Sequence, residues 1–533
     1  MGTVEHPRIR PGVLEDRLYQ ERISRAAIGR NTLVVLPTGL GKTAIALRAI
    51  AEFLLRDPTR SILFLAPTRP LVVQHAKSIE TTLFAPAPLV LTGSISPARR
   101  HELLHPPQVV VATPQVIGND LASGPFDLTK FSLIVFDEAH RAVGDYPYVV
   151  IGKANRGGPA ARVLAMTASP GARIERIREV WNNLGIEQFE YRTAHDPDVQ
   201  PYVHGIGVET VEVRMPAEVK GLAIRIRTAV AHQSSYLHSH GYLASAEASR
   251  RDLLELGDRI RRESERIRRA GGTPPAALWG AITAHAIAMK GTHALELIES
   301  QGVEALRAFL EKQVVGPRGR PTPSGRGFLA DPEIVKVREL LSSLTLEHPK
   351  IQKAVDLVRQ ELGRSPPARI ILFAQYRQTA ELLVTELSKL GDAGIRAARF
   401  VGQATHGDDT GLTQKEQIGI LDRFRSGAVN VLVATSVAEE GLDIPATDLV
   451  IFYEPVPDVI RMIQRRGRTG RARAGRAIVL VAEGTRDVGM DRASRSREKR
   501  MHDMLERVGE EAERGPLRPP AAKPPLQTSL EEF

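Results

Sequence analysis

The chain has no cysteine in 533 residues, only 5% aromatic residues, and no long apolar run. The first absence excludes a disulfide scaffold, a thiol nucleophile and a thiolate zinc site. The second argues against a nucleic-acid binder built mainly on base-stacking platforms. A membrane-spanning helix needs roughly 18–20 consecutive apolar residues, whereas the apolar runs here are short and strand-like, as at Ile370–Ala374. Residues 1–30 are charged throughout and lack the apolar centre of a signal peptide. A soluble intracellular protein with no membrane association is expected. The 15 histidines form no ligand-spaced cluster, so no transition-metal site is expected either.

Acids are outnumbered by bases, 62 against 72, for a net charge of +10. Such an excess suits a polyanionic partner, because each cation placed on a phosphate releases a condensed counterion. A solvated basic surface accounts for the same number. Hydrophobic residues at 42% and charged residues at 25% supply ordinary globular cores. At roughly 150 residues per domain, the length predicts three or four domains.

From Asn31 to about Gln200, short apolar runs alternate with amphipathic stretches. Thr32–Leu36, Ser61–Ala66, Gln108–Ala112, Leu133–Phe136 and Arg162–Met166 read as buried strands, with helical segments such as Thr43–Leu55 between them. That rhythm predicts βαβ units and a parallel sheet covered on both faces. It returns from about His348 to Glu483, with strands at Ile370–Phe373, Val429–Val433, Leu449–Tyr453 and Arg476–Val481. Between these two α/β domains the pattern is helical and rich in Ala, Arg, Glu and Leu. Eight arginines between Arg250 and Arg269 crowd one predicted helix that ends at Gly271-Gly272. Gly316–Gly327 reads as a basic hinge or loop. The boundaries expected are 1–204 for the first α/β domain, 205–340 for the helical insertion, 341–505 for the second α/β domain, and a disordered tail over 506–533.

The first strand runs into Pro37-Thr38-Gly39-Leu40-Gly41-Lys42-Thr43 and then a helix. A glycine-containing loop in that position lets backbone N–H groups close on phosphate oxygens, and the helix N-terminus adds its dipole. Lys42 would neutralise the β/γ-phosphates and the Thr43 hydroxyl would ligate Mg²⁺. The strict P-loop pattern fails, since Leu36 stands where its first glycine would be. The second half of such a site is an acid at another strand end, and Asp137-Glu138 supplies it. Asp137 would hold Mg²⁺ and Glu138 would orient and deprotonate the attacking water. Together these residues imply ATP hydrolysis. Phosphoryl transfer also needs cations on the transition state, and Gln464-Arg465-Arg466-Gly467-Arg468-Thr469-Gly470-Arg471 has the density for it.

Read in order, these blocks resemble the superfamily 2 helicases. Pro37–Thr43 is similar to motif I, Ala66–Leu71 to motif Ia, Thr113-Pro114-Gln115 to motif Ib, and Asp137–His140 to a DEAH-form motif II. Thr167-Ala168-Ser169 is similar to motif III, Ile371–Tyr376 to motif IV, Ala434–Pro445 to motif V, and Gln464–Arg471 to motif VI. Arg17-Leu18-Tyr19-Gln20 resembles the adenine-reading glutamine motif. The resemblance implies two RecA-like parallel-sheet domains, ATP and Mg²⁺ as nucleotide and cofactor, and roles for particular residues. Gln20 with Arg17 would contact adenine, and Thr38, Gly39 and Gly41 would line the phosphates. Gly441 and Asp443 would reach nucleotide from the second domain. Arg468 and Arg471 match the arginine-finger positions, and Gln464 would join His140, Thr167 and Ser169 in coupling hydrolysis to domain movement. Arg69, Thr113 and Thr435 would sit on the nucleic-acid backbone.

About 200 positions separate Thr167 from Phe373, far more than a bare connection needs. With the flanking segments Asp196–Val203 and His348-Pro349-Lys350, that insertion resembles the archaeal Hef helicases and their Fanconi-anaemia M relatives. The likeness implies action on forked and branched DNA in replication-fork repair, within an archaeal cytoplasm in association with the nucleoid. Related insertions occur in Dicer-type and RIG-I-type RNA helicases, so an RNA-stimulated ATPase is the alternative. A binding scaffold with an inactive motor is a third reading, opposed by Lys42, Glu138 and Arg471. Many Hef proteins carry a C-terminal nuclease; Arg497-Glu498-Lys499-Arg500 brings no such metal site here, and a helicase-only version is expected. In the insertion, Arg261, Arg262, Arg268 and Arg269 would hold a second duplex arm, unless Glu255, Asp258, Glu263 and Glu265 pair with the arginines on a merely solvated helix. At the end of the chain, Gln527, Leu530 and Phe533 resemble the peptide that binds the sliding clamp (PCNA). Oligomeric state is not readable.

Overall fold

Runs of Val, Ile, Leu and Phe form the buried strands, since residues covered on both faces of a parallel sheet need no polar alternation. The computed structural model describes the chain except for residues 1, 105–106, 125, 158–159, 169, 172, 194–195, 203–205, 317–318, 365–366, 391–393, 404–410, 436–446, 457–474, 516 and 518–533. The first sheet comprises β1 (Thr32–Val35), β2 (Ser61–Leu65), β3 (Leu89–Leu91), β4 (Val109–Ala112), β5 (Phe131–Asp137), β6 (Arg162–Thr167) and β7 (Gln188–Tyr191). All are parallel, in the order β3-β4-β2-β5-β6-β1-β7. The helices Leu18–Gly29, Lys42–Arg56 and Arg69–Thr82 cover one face through Ile23, Ile45 and Val72. Pro114–Ser123, Pro147–Arg156 and Ile174–Leu184 cover the other through Ile117, Ile151 and Trp181.

The second sheet contains β8 (Ile206–Val213), β9 (Ile370–Phe373), β10 (Ala397–Phe400), β11 (Val431–Ala434), β12 (Leu449–Phe452) and β13 (Gly475–Ala482), in the order β10-β11-β9-β12-β13-β8. Strand β8 pairs with β13 along its full length. Residues 206–213, expected inside the insertion, are therefore the edge of the second sheet. Their sequence, Ile-Gly-Val-Glu-Thr-Val-Glu-Val, shifts its apolar phase at Thr210, so that Val211 and Val213 face the core while Val208 is exposed. The insertion proper is helical, from Ala217–Ser239 to Pro332–Ser343, around two apolar clusters. Gly316–Gly327 is not simply a loop. Thr322 caps a helix over Pro323–Ala330 by accepting the Gly325 N–H at 3.0 Å, and Phe328 buries its ring against the insertion's core. A Thr-Pro pair is a helix start, and it outweighs the two glycines that follow.

Buried ion pairs bolt the insertion to the second domain. Glu296, in the helix Ala276–Ser300, accepts hydrogen bonds from Arg250 at 2.7 Å, Arg486 at 2.6 Å and Tyr376 at 2.5 Å. Nearby, the fully buried Lys350 ammonium donates to the Tyr453 carbonyl at 3.0 Å and to Asp487. Asp487 opens the last helix, Arg486–Arg514, which runs beyond residue 505, the expected end of the second domain. Its far half packs on the first domain. Met501, Leu505 and Val508 enter that domain's core, and Tyr191 Oη lies 2.7 Å from His502 Nδ1. Residues 506–514 thus belong to a packed helix rather than to a tail, because the apolar positions Met501, Leu505 and Val508 recur at helical spacing and find a core to enter.

Candidate nucleotide and nucleic-acid site

Strand β6 lies between β1 and β5, and their register aligns Val35 with Thr167 and Asp137 with Met166. The glycine loop, the motif III-like threonine and the acidic pair therefore emerge side by side at the carboxyl ends of three adjacent strands. At that edge of an open parallel sheet, ligands bind.

The loop after β1 has the backbone a phosphate cradle requires. Gly39 and Gly41 have φ of +92° and +80°, in the left-handed region that favours glycine. Lys42 starts the helix, with Thr43 next to it, and the Lys42 ammonium donates to the Leu36 carbonyl at 3.0 Å. Pro37, Thr38 and Leu40 complete the loop. Tyr19 Oη donates to the Leu40 carbonyl at 2.6 Å, and the Gln20 amide donates to the same oxygen at 3.2 Å. Gln20, expected to contact adenine, is thus pressed against the phosphate loop. Arg17 is held by Glu15 at 2.7 Å, and its guanidinium lies 5.4 Å from the centre of the Tyr202 ring. Tyr202 in turn tilts against Tyr19, with ring centres 5.7 Å apart. Sequence reasoning passed over Tyr202 as part of a flanking segment; only folding brings it beside Arg17 and Tyr19, far earlier in the chain.

Asp137 ends β5, buried at 7% exposure. Burial pushes its carboxyl up, but the hydrogen bond from His75 and the charge of Lys42 outweigh that effect and hold it below the usual range. His75 Nε2 stands 3.0 Å from its Oδ2, and Tyr148 Oη donates to its backbone carbonyl at 2.7 Å. Glu138 follows with φ +51°, the one non-glycine residue with positive φ among those described. Its Oε2 is buried without a hydrogen bond, 3.3 Å from His140 Nδ1. His140 Nδ1 also lies 2.9 Å from Thr167 Oγ1, joining the motif II-like and motif III-like segments directly. An ionised carboxylate, an acid with an unused buried oxygen, and a glycine loop at a helix N-terminus suit a Mg²⁺–nucleotide complex: Thr43 and Asp137 would hold the ion. Among the described residues no group of three or more histidines and acids is placed to hold a metal ion by itself.

The residues expected on nucleic acid from the first domain also follow strand ends. Arg69 is the first residue of the helix after β2, and Thr113 precedes the helix after β4, with Pro114 at its first position. Thr435 follows β11 and is buried. In the insertion, Arg261, Arg262, Arg268 and Arg269 lie on the exposed side of the helix Arg250–Arg269, whose other side buries Leu253, Leu256 and Ile260. Arg261 reaches Asp258 at 3.6 Å and Arg269 reaches Glu265 at 4.0 Å, pairs at helical spacing on an open surface. Gly441, Asp443, Gln464, Arg468 and Arg471 lie outside the described residues, as do Ser169 and the terminal Gln527, Leu530 and Phe533.

Two parallel-sheet domains, a glycine-loop and acid site on the first, and a helical insertion define the class: an ATP-hydrolysing superfamily 2 helicase with RecA-like domains. Profiles of known families agree: the DEAD/DEAH box helicase profile matches residues 17–177 and the helicase conserved C-terminal domain matches 350–473. A helical bundle provisionally described as that of an ATP-dependent RNA helicase matches 224–358. The crystal structure of the Pyrococcus furiosus Hef helicase domain superposes with a TM-score of 0.71 at 43% identity, covering 91% of this chain and 100% of that one. The chain belongs to the Hef helicase family.

Curated relatives extend the likeness. A Methanocaldococcus jannaschii protein, provisionally named an ATP-dependent RNA helicase, is 38% identical over 95% of this chain and 62% of its own length. An Arabidopsis thaliana protein named DEAD-box ATP-dependent RNA helicase FANCM is 33% identical over 88% of this chain and 35% of its own. The Neurospora crassa ATP-dependent DNA helicase mph1 is 33% identical over 88% and 41%. The chain thus spans between about a third and three fifths of these relatives. Among the described residues, no helix is long and apolar enough to cross a membrane.

Proposed function

We propose that the chain is an ATP-driven DNA helicase or translocase acting on forked and branched DNA, in replication-fork repair and recombination. The observation that carries the reading is the single row formed by the Lys42 loop, Thr167 and Asp137 across β1, β6 and β5. In it, Lys42 and the loop N–H groups bind the β/γ-phosphates, Thr43 and Asp137 hold Mg²⁺, and Gln20 with Arg17 meets the base. Mg²⁺, when held there, would supply charge neutralisation at the phosphates. Glu138 orients the attacking water and takes its proton, and Arg468 and Arg471 meet the developing charge from the second domain. With nucleotide bridging the two domains, its hydrolysis removes the bridge and the cleft reopens. Backbone contacts at Arg69, Thr113 and Thr435 then turn alternating closure into movement without reading bases. Residues Arg261, Arg262, Arg268 and Arg269 hold a further duplex arm.

The test is the ATPase rate alone, with single-stranded DNA, with forked DNA and with matched RNA, using Lys42→Ala as the blank. Forked DNA should stimulate most. Two of the relatives are named as RNA helicases, so stimulation by RNA alone would replace the DNA reading while keeping the motor. Absence of ATPase in every mixture would turn the chain into a scaffold. The C-terminal Gln527, Leu530 and Phe533 are proposed to engage a sliding clamp; deleting 527–533 should abolish co-elution, and retained binding refutes the contact. Localisation with the nucleoid in an archaeal cytoplasm follows from the same reading.

A further inference from the structure

The helix Arg69–Thr82 has three dissimilar surroundings. At its first turn, which Thr68 caps by accepting the Leu71 N–H, stands Arg69 on the strand-end face proposed for nucleic acid. Along one side, Pro70, Val73, Gln74, Lys77 and Thr81 line a cleft of about 760 Å³ whose opposite wall is the second-domain helix Gln414–Arg425. On the other side, His75 points into the first domain and meets Asp137.

That meeting is buried and held on one side. The His75 ring is buried at 5% exposure and lies against Phe64 of β2, ring centres 4.4 Å apart. Its Nε2 stands 3.0 Å from Asp137 Oδ2, whereas its Nδ1 is buried with no hydrogen bond. An N–H stranded at Nδ1 would cost more than a bare acceptor there, so the proton sits on Nε2 and is donated to the carboxylate. Tyr148 fixes the Asp137 carbonyl from the far side of the sheet. Backbone and one carboxylate oxygen are therefore both tied, and the remaining oxygen is aimed by default. A partner in this position behind a metal-binding carboxylate sets its orientation.

We propose that His75 is a positioning residue for Asp137, and that through it the helix Arg69–Thr82 transmits its position, set by polynucleotide and by the second domain, to the metal-holding carboxylate. The proposal rests on the reading of Asp137 as a Mg²⁺ ligand. Movement of the helix by even a fraction of an ångström stretches or bends a hydrogen bond whose strength falls steeply with angle, so domain closure is felt at the carboxylate without any contact between Arg69 and nucleotide.

The experiment measures equilibrium binding of a fluorescent ADP to the full chain while Mg²⁺ is titrated, for wild type, His75→Leu, His75→Asn, His75→Gln and Asp137→Asn. Binding in EDTA and the unfolding midpoint in EDTA are recorded alongside. His75→Leu should raise the Mg²⁺ midpoint about 10–100-fold while leaving metal-free ADP affinity in place, and forked DNA should stimulate its ATPase less relative to its own basal rate. His75→Gln, whose amide donates at similar reach, should restore the midpoint to within about threefold; His75→Asn, which is shorter, should not. If His75→Leu fails to fold, the Gln–Asn contrast carries the result. An unchanged midpoint in the His75 variants with a raised one in Asp137→Asn overturns the inference and keeps the metal reading. No change in Asp137→Asn removes both. A fall in metal-free affinity with an unmoved midpoint assigns His75 to packing alone and refutes the proposal.

Discussion

Gly41 meets two demands at once. Its φ is +80°, and an added Cβ would stand 2.3 Å from the Gln20 amide nitrogen. For an alanine the left-handed backbone alone costs about 1–2 kcal/mol, and Gln20 must also move. Gly41→Ala should therefore weaken binding of a fluorescent ADP by at least about tenfold; an affinity within twofold of wild type would detach the loop from nucleotide binding. Glu454 illustrates a different residue-scale effect. Burial lifts its carboxyl to about 7, against the pull of Lys350 and of hydrogen bonds from Gln375 and Gln301, with Asp487 adding to the lift. The folded chain keeps this proton where the unfolded chain has lost it, so stability falls as pH rises from about 4.5 to about 7 and then levels. The neighbouring His348, lowered to about 4 by burial and by Lys350, acts with the opposite sign: its contribution is complete above about 6.5 and is lost as pH falls through about 4. Glu454→Gln should gain on wild type by up to roughly 3 kcal/mol between pH 4.5 and 8 in chemical denaturation. A difference that stays constant with pH would mean that Glu454 is ionised throughout.

Among the elements, the arginine-rich helix separates two roles that its composition blends. Ser249 and Asp252 form a reciprocal cap, Leu253, Leu256 and Ile260 bury one stripe, and Arg250 leaves the set by pairing with buried Glu296. Arg261, Arg262, Arg268 and Arg269 recur at a spacing of seven, on one exposed side. If they neutralise phosphates, changing all four to Ala should flatten the slope of log affinity for forked DNA against log salt by about 2–4, since each contact contributes about 0.9. An unchanged slope would leave the helix merely solvated, its i,i+3 and i,i+4 pairs with Asp258 and Glu265 each contributing a few tenths of a kcal/mol. Element existence was legible wherever apolar periodicity was strong, as in Lys42–Arg56. The short strands β3, β7 and β10 were missed because three or four half-buried residues carry too little pattern.

At the scale of the molecule, the last helix begins among the buried ion pairs of the second domain and ends in the core of the first. Leu505 shares that core with Trp181. Leu505→Ala should destabilise the first domain by about 2–5 kcal/mol, followed by the fluorescence of Trp181 in a background where the exposed Trp279 is changed to Phe. A loss below about 0.5 kcal/mol would mean that the helix only rests on the surface. The helix thus gives the second domain a hold on the first that does not pass through the nucleotide cleft.

The sequence by itself determined the parts whose chemistry is local. Loop Pro37–Thr43 lies between a strand and a helix because glycine, proline and apolar periodicity act over a few residues, and Asp137-Glu138 ends a strand for the same reason. The helical insertion was likewise legible from its length and composition. Tertiary structure decided what depends on distant partners. Residues 206–213 join the second sheet because β13 offers an unpaired edge. Residues 506–514 pack because the first domain offers an apolar groove. Tyr202 reaches Arg17, and His75 reaches Asp137, only once the sheets and helices have closed around them. A hydrogen bond or a buried ring is a property of two places in the chain, and spacing along one of them carries no record of the other.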